Sequence, residues 1–285
     1  MPSHTSHRSA RLLLAASLAL TLGAAHAQTG QAPAAEATSG ATAYEPTVGQ
    51  SGKDVVWVPT AQSLVDHMLR MADITPQDYL VDLGAGDGRT VITAAQQGTR
   101  AHGIEFNPDM VKLAREAAQK AGVADKATFT EGDIFESDFS DATVITLFLL
   151  PNLNLRLRPT LLDMKPGTRI VSNSFDMGDW TPDDAVDGGA ECQSYCHAYK
   201  WVVPAKVEGA WTLGKNAALS LNQAYQMFSG HITLDGTQHE ISDGSLLGTR
   251  VAFSANGRQY TGQVDADRMT GRDDQGKAWT ATRKQ

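Results

Sequence analysis

The chain has 285 residues, enough for one large domain or two smaller ones, and its apolar fraction of 41% suits a globular protein. Its net charge is -8 and it carries no basic run, which speaks against a nucleic-acid partner, since such binding rests on neutralising phosphates. At the start, Arg8 and Arg11 precede the apolar run Leu12 to Leu22, and Ala25-His26-Ala27 follows. A basic start, a short apolar core and an A-x-A exit read as a signal peptide over residues 1–27, cleaved after Ala27. That core is short for a bilayer, and no later stretch is long and apolar enough to cross one. The expectation is a periplasmic or secreted protein with no membrane span once the signal is removed. Residues 28–52 are rich in Ala, Gly, Thr, Gln and Ser without an apolar period, and read as a flexible leader.

A first domain is expected over residues 53–204. Thr60 is a candidate N-cap for a helix whose core stripe is Leu64, Val65, Met68, Leu69 and Met71. Tyr79 to Leu83 reads as a buried strand, and Gly84-Ala85-Gly86-Asp87-Gly88 as a tight turn into a helix over 89–98. A strand over 101–105 follows, then a helix restarted by Asn107-Pro108 and stopped at Gly122. A strand over 127–130 leads to Asp133, and residues 142–149 form the most apolar strand, expected at the centre of the sheet. Leu153 to Met164 reads as a helix, Thr168 to Ser172 as a strand, and His197 to Pro204 as a further strand. Alternating strands and helices of this kind define the α/β class.

From residue 205 to 285 the texture changes to short alternating strands separated by Asp235-Gly236, Asp243-Gly244, Asn256-Gly257 and Asp274-Gln275-Gly276. That pattern predicts a second, antiparallel β domain, a small barrel or a curved meander. The two cysteines stand in Cys192-Gln-Ser-Tyr-Cys196-His197. A local disulfide is the first reading, free thiols the second, and a haem attachment site with one residue too many a distant third.

The chemistry gathers at three strand ends, which carry Asp82, Glu105 and Asp133. A glycine-rich turn alone is a common strand-to-helix device. Here it stands about 20 residues before an acid at the next strand end, the place where such sheets hold ribose hydroxyls. So many acids would serve a phosphate poorly. This constellation, Asp82-Leu-Gly84-Ala85-Gly86 with Glu105-Phe106 and Asp133-Ile134, resembles the S-adenosylmethionine site of the class I, seven-strand methyltransferases. The resemblance implies a Rossmann-like, doubly wound sheet. It assigns Asp82 and the Gly84, Ala85 and Gly86 backbone to the methionine end, Glu105 to the ribose, and Asp133 to the adenine amino group, with Phe106 and Ile134 on the ring faces.

Further along, Phe148-Leu-Leu-Pro151-Asn152-Leu, Lys165-Pro-Gly-Thr-Arg169 and Phe175-Asp-Met-Gly-Asp-Trp180-Thr-Pro-Asp183 resemble the small protein-lysine methyltransferases of the ATP synthase c-subunit and adenine nucleotide translocase type. The likeness covers about residues 55 to 185. It implies methyl transfer to an acceptor, a protein lysine among the candidates, with Leu150, Pro151 and Asn152 where the acceptor sits, Asn152 or Asn154 holding an amine, and Phe175 and Trp180 as an apolar or cation-π wall. Pro59 and Thr60 are second-rank candidates for a segment closing over the cofactor. The competing reading is an exported binding protein that keeps the pocket for a nucleoside-like ligand without catalysis. No metal site is expected.

Overall fold

The computed structural model describes residues 44–190 and 192–284. The expected signal peptide and residues 28–43 of the expected leader lie outside the described residues. Seven strands form one sheet: β1 Tyr79–Leu83, β2 Arg100–Glu105, β3 Ala127–Glu131, β4 Val144–Leu147, β5 Arg169–Asn173, β6 Asp184–Asp187 and β7 His197–Val202. Their order is β3-β2-β1-β4-β5-β7-β6. The first five are parallel, and β7 runs antiparallel to both β5 and β6.

The period-2 alternation of the strands splits the core between two faces. Leu80, Val144 and Val171 point to one side, where α1 Gln62–Met71, α2 Arg89–Gln96 and α3 Pro108–Lys120 pack. Val81, Ile145 and Ile170 point to the other, against α4 Pro151–Leu162 and Trp201. With both faces covered, β4 is buried at every position, as expected of a central strand. Strand order reverses between β1 and β4, so a crevice opens at their carboxyl ends.

The C-terminal strands close into a barrel: β8 Gly209–Leu213, β9 Ala217–Ala224, β10 Met227–Leu234, β11 Thr237–Leu247, β12 Arg250–Ala255, β13 Arg258–Asp265, β14 Arg268–Asp273 and β15 Ala278–Arg283. Eight strands enclose just enough space for side chains to fill. Trp211, Phe228, Ile232, Phe253, Tyr260 and Trp279 fill it, alternating with exposed residues along each strand. The barrel meets the sheet domain through specific bonds. Tyr225 Oη donates to Asp179 Oδ2 at 2.9 Å, and Gln226 Nε2 to the Thr181 carbonyl at 2.8 Å.

Four local expectations change. Thr60 does not cap α1. Ala61 holds the N-cap position, and the Thr60 hydroxyl instead accepts from Asn173 Nδ2 at 3.1 Å. Strand β4 ends at Leu147, because Phe148 to Leu150 leave the ladder to line the crevice. Asp243-Gly244 is a bulge inside β11 rather than a turn between strands, with the register shifting across it. Residues 44–52, assigned to the leader, are tied into the domain. The Gly49 N–H donates to the Trp57 carbonyl at 2.8 Å and the Trp57 N–H to the Gln50 carbonyl at 2.9 Å. Without an apolar period this pairing leaves no signal in the sequence.

Candidate functional site

The crevice is built first by the glycine loop. After β1, the Gly84 and Ala85 N–H groups both donate to the Ile104 carbonyl, at 2.9 and 3.0 Å, pinning the turn to β2. Gly86 takes φ +54°, and a Cβ there would stand 2.6 Å from Trp57 Nε1, so the absent side chain admits the indole. Gly88 starts α2 in the left-handed region, where a Cβ would meet Phe129 at 2.7 Å. Arg89 then pairs with Asp87 and donates from Nη1 to the Thr60 carbonyl at 2.7 Å. This ties the segment before α1 to the loop.

Three acids line the cleft from one end to the other. Asp82 is 7% exposed and accepts a hydrogen bond from Thr146 Oγ1 at 2.6 Å, its one partner among the described residues. Burial, with the Glu105 and Asp87 charges added and the Thr146 hydroxyl opposing, pushes its pKa up to about 7. Glu105 ends β2, with Oε2 accepting from the Gly86 N–H and Oε1 from the Asn107 N–H, both at 2.9 Å. Asp133 accepts from the Phe135 N–H at 2.9 Å and pairs with the Lys53 ammonium. That ion pair and the Phe135 N–H hold its carboxyl below the usual carboxylate range. Lys53 also stands 5.0 Å from the centre of the Phe106 ring. Ile134 and Phe106 line this end, and Pro59 and Thr60 also line the cleft.

The acceptor side departs from expectation. Trp180 is fully buried away from the cleft, stacked on Tyr225 with ring centres 6.0 Å apart and packed against Trp201. It serves the junction with the barrel and is no wall for an acceptor. Pro151 and Asn152 are exposed on the first turn of α4 and do not line the cleft; Leu150 and Leu153 beside them do. The helical turn rotates those two positions outward. Asn154 is buried, and its Nδ2 donates to the Phe175 and Asp176 carbonyls, both at 3.1 Å. Phe175 does line the cleft, joined by two residues to which the sequence reading gave no site role, Phe148 and Tyr195. Phe148 lay hidden as the end of an apolar strand. Tyr195 lies in the turn between the cysteines, which the structure joins in a disulfide.

The cleft is open to solvent, and its lining carries Asp82, Glu105 and Asp133 together with Phe148, Phe175 and Tyr195. Its acids fit a ligand with a cation at one end and hydroxyls and an amino group along its length. Asp82 in particular is a buried carboxyl with no cation among the described residues to answer it. Among the described residues no cluster of His, Cys, Asp and Glu is arranged to hold a metal. Sheet order, glycine loop and acid placement together define a class I, S-adenosylmethionine-dependent methyltransferase.

Comparison with known proteins agrees. The ANTKMT methyltransferase domain family matches residues 82–184. A protein-lysine N-methyltransferase from Saccharolobus islandicus is 42% identical over 135 residues, spanning 46% of this chain and 84% of that protein. The adenine nucleotide translocase lysine N-methyltransferase of Mus musculus is 36% identical over 139 residues, 48% of this chain and 60% of that protein. The chain therefore spans less than two thirds of the mouse relative. A crystal structure of an RNA methyltransferase from Salinibacter ruber with S-adenosyl-L-homocysteine has 49% identity, covers 53% of this chain and 96% of that one, and superposes with a TM-score of 0.49. The chain belongs to the ANTKMT-type methyltransferase family.

Proposed function

We propose that this methyltransferase modifies the side-chain amine of a lysine in a protein, outside the cytoplasm. One observation carries the acceptor reading: the acidic end of the cleft runs directly into an apolar, aromatic end formed by Phe148, Phe175 and Tyr195. In this reading Asp82 and the loop backbone from Gly84 to Gly86 hold the methionine amine and carboxylate. Glu105 accepts from the ribose hydroxyls with the lone pairs its backbone donors leave free. Asp133 accepts from the adenine amino group, which requires Lys53 to leave it, and Phe106 and Ile134 cover the ring faces.

S-adenosylmethionine supplies a methyl carbon on a sulfonium: the acceptor lone pair forms the new bond as the carbon–sulfur pair returns to sulfur. What remains for the chain is positioning and desolvation. The aromatic wall lies along the lysine stem and excludes water. Low polarity there favours the neutral, nucleophilic amine over the ammonium, and its proton leaves through the open mouth. No general base is needed at the reacting atom, and the Ser, His and paired-carboxylate devices of hydrolases have no role.

The relatives named for protein-lysine and translocase-lysine methylation support the acceptor class. The signal-like start of the sequence and the Cys192–Cys196 disulfide support an oxidising compartment. The test is transfer of labelled methyl from S-adenosylmethionine to envelope proteins, followed by hydrolysis to amino acids. Label recovered as methyl-lysine, and lost with Glu105→Ala, is the expected result. Label in RNA or in small molecules alone contradicts the acceptor reading. A tagged full-length chain is expected in the periplasm or medium with Gln28 at its start, and an uncleaved cytoplasmic chain would contradict export.

A further inference from the structure

The Cys192–Cys196 turn has a consequence for the acceptor. Strands β6 and β7 form a hairpin whose connection carries the disulfide. The Gly188 N–H donates to the Cys196 carbonyl at 2.6 Å and the Cys192 N–H to the Gly189 carbonyl at 3.2 Å. Within this closed loop Tyr195 is held in the left-handed region at φ +56°, a conformation uncommon for a tyrosine. From that position its ring lines the cleft. There its centroid lies 5.2 Å from that of Phe148 and 6.0 Å from that of Phe175. A second local constraint aims Phe175. Ser174 before it sits at φ +59°, and its N–H is held by the His197 carbonyl at 2.8 Å. Two strained backbones converge on one aromatic group, and yet Tyr195 remains 46% exposed. A ring held under strain and left half open is not packing for a core.

We propose that the disulfide turn is an acceptor-binding element: it holds Tyr195 against Phe148 and Phe175 so that the three rings form the wall along which an alkylamine side chain reaches the methyl donor. The occupant is argued from continuity, because these rings line the same cleft as Asp82 and Gly84. The inference rests on the lysine reading above and deepens it. It makes acceptor binding, and not cofactor binding, dependent on the oxidised state of the two cysteines.

The probe is an S-adenosylhomocysteine analogue in which nitrogen replaces sulfur and carries an alkylamine chain the length of a lysine side chain. Its affinity is compared by calorimetry with that of S-adenosylhomocysteine itself. In the oxidised wild-type protein the chain is expected to tighten binding about tenfold through apolar and cation-π contact. Tyr195→Ala, Cys192→Ser with Cys196→Ser, and reduction of the wild type should each remove most of that gain. Tyr195→Phe should keep it, and S-adenosylhomocysteine should bind all these forms alike, which also shows that they are folded. A gain that persists in Tyr195→Ala overturns the inference and leaves the lysine reading standing. Loss in Tyr195→Phe as well overturns the apolar wall, and a gain indifferent to reduction overturns the role of the disulfide. No gain in the wild type removes the lysine reading, and the inference with it.

Discussion

Asp82 is the residue whose environment says most about the ligand. A carboxyl that is buried beside two other acids holds its proton to about pH 7, well above its ordinary value of 3.8. The proton-bound form is therefore favoured by folding, and this group's contribution to stability is lost as pH rises through 7. A ligand amine reverses the balance by stabilising the ionised form. S-adenosylhomocysteine should then bind with release of a proton below pH 7, and its affinity should climb with pH and level off above 7. Calorimetry in buffers of different ionisation enthalpy reads this directly, and Asp82→Asn should flatten the profile while weakening binding. The acids of the cleft were legible because they stand at successive strand ends after a glycine-rich loop, a spacing that needs no tertiary knowledge. Trp180 was not legible. An aromatic before Thr-Pro-Asp reads the same whether it faces a substrate or a partner domain, and only Tyr225, far along the chain, decides which.

Among elements, the segments after β4 and β5 divide into two tasks. Phe148 and Phe175 turn into the cleft, while Met177 and Trp180 turn back under it to meet Trp201 and Tyr225. Trp180→Ala should destabilise the fold by about 3–5 kcal/mol through the cavity it leaves, measured by denaturant unfolding. Trp180→Phe should cost far less, because the indole N–H has no hydrogen-bond partner among the described residues. Both variants, below their unfolding midpoints, should bind S-adenosylhomocysteine as the wild type does; a selective loss of binding would return Trp180 to the site. The long strands and amphipathic helices were readable from period alone. Strand β6 was not, since Asp184-Ala185-Val186-Asp187 is an exposed edge with no buried stripe and exists only by pairing with β7.

The described molecule joins a doubly wound sheet, which carries the site, to a closed barrel, which packs against it through the Tyr225–Trp180 stack and the Gln226–Thr181 bond. The sequence pointed to a β domain after residue 205, but alternation alone cannot distinguish a meander from a barrel. Closure depends on β8 finding β15, a pairing between distant strands. The central claim is that the cleft binds S-adenosylmethionine through the acid at the end of β2. Calorimetric titration of residues 28–285 with S-adenosylmethionine and S-adenosylhomocysteine, beside Glu105→Ala, tests it most directly. The account predicts binding to the wild type that weakens by about 2 kcal/mol or more, tenfold or beyond, when the carboxylate is removed. No heat with either ligand, or equal affinity in Glu105→Ala, would contradict it.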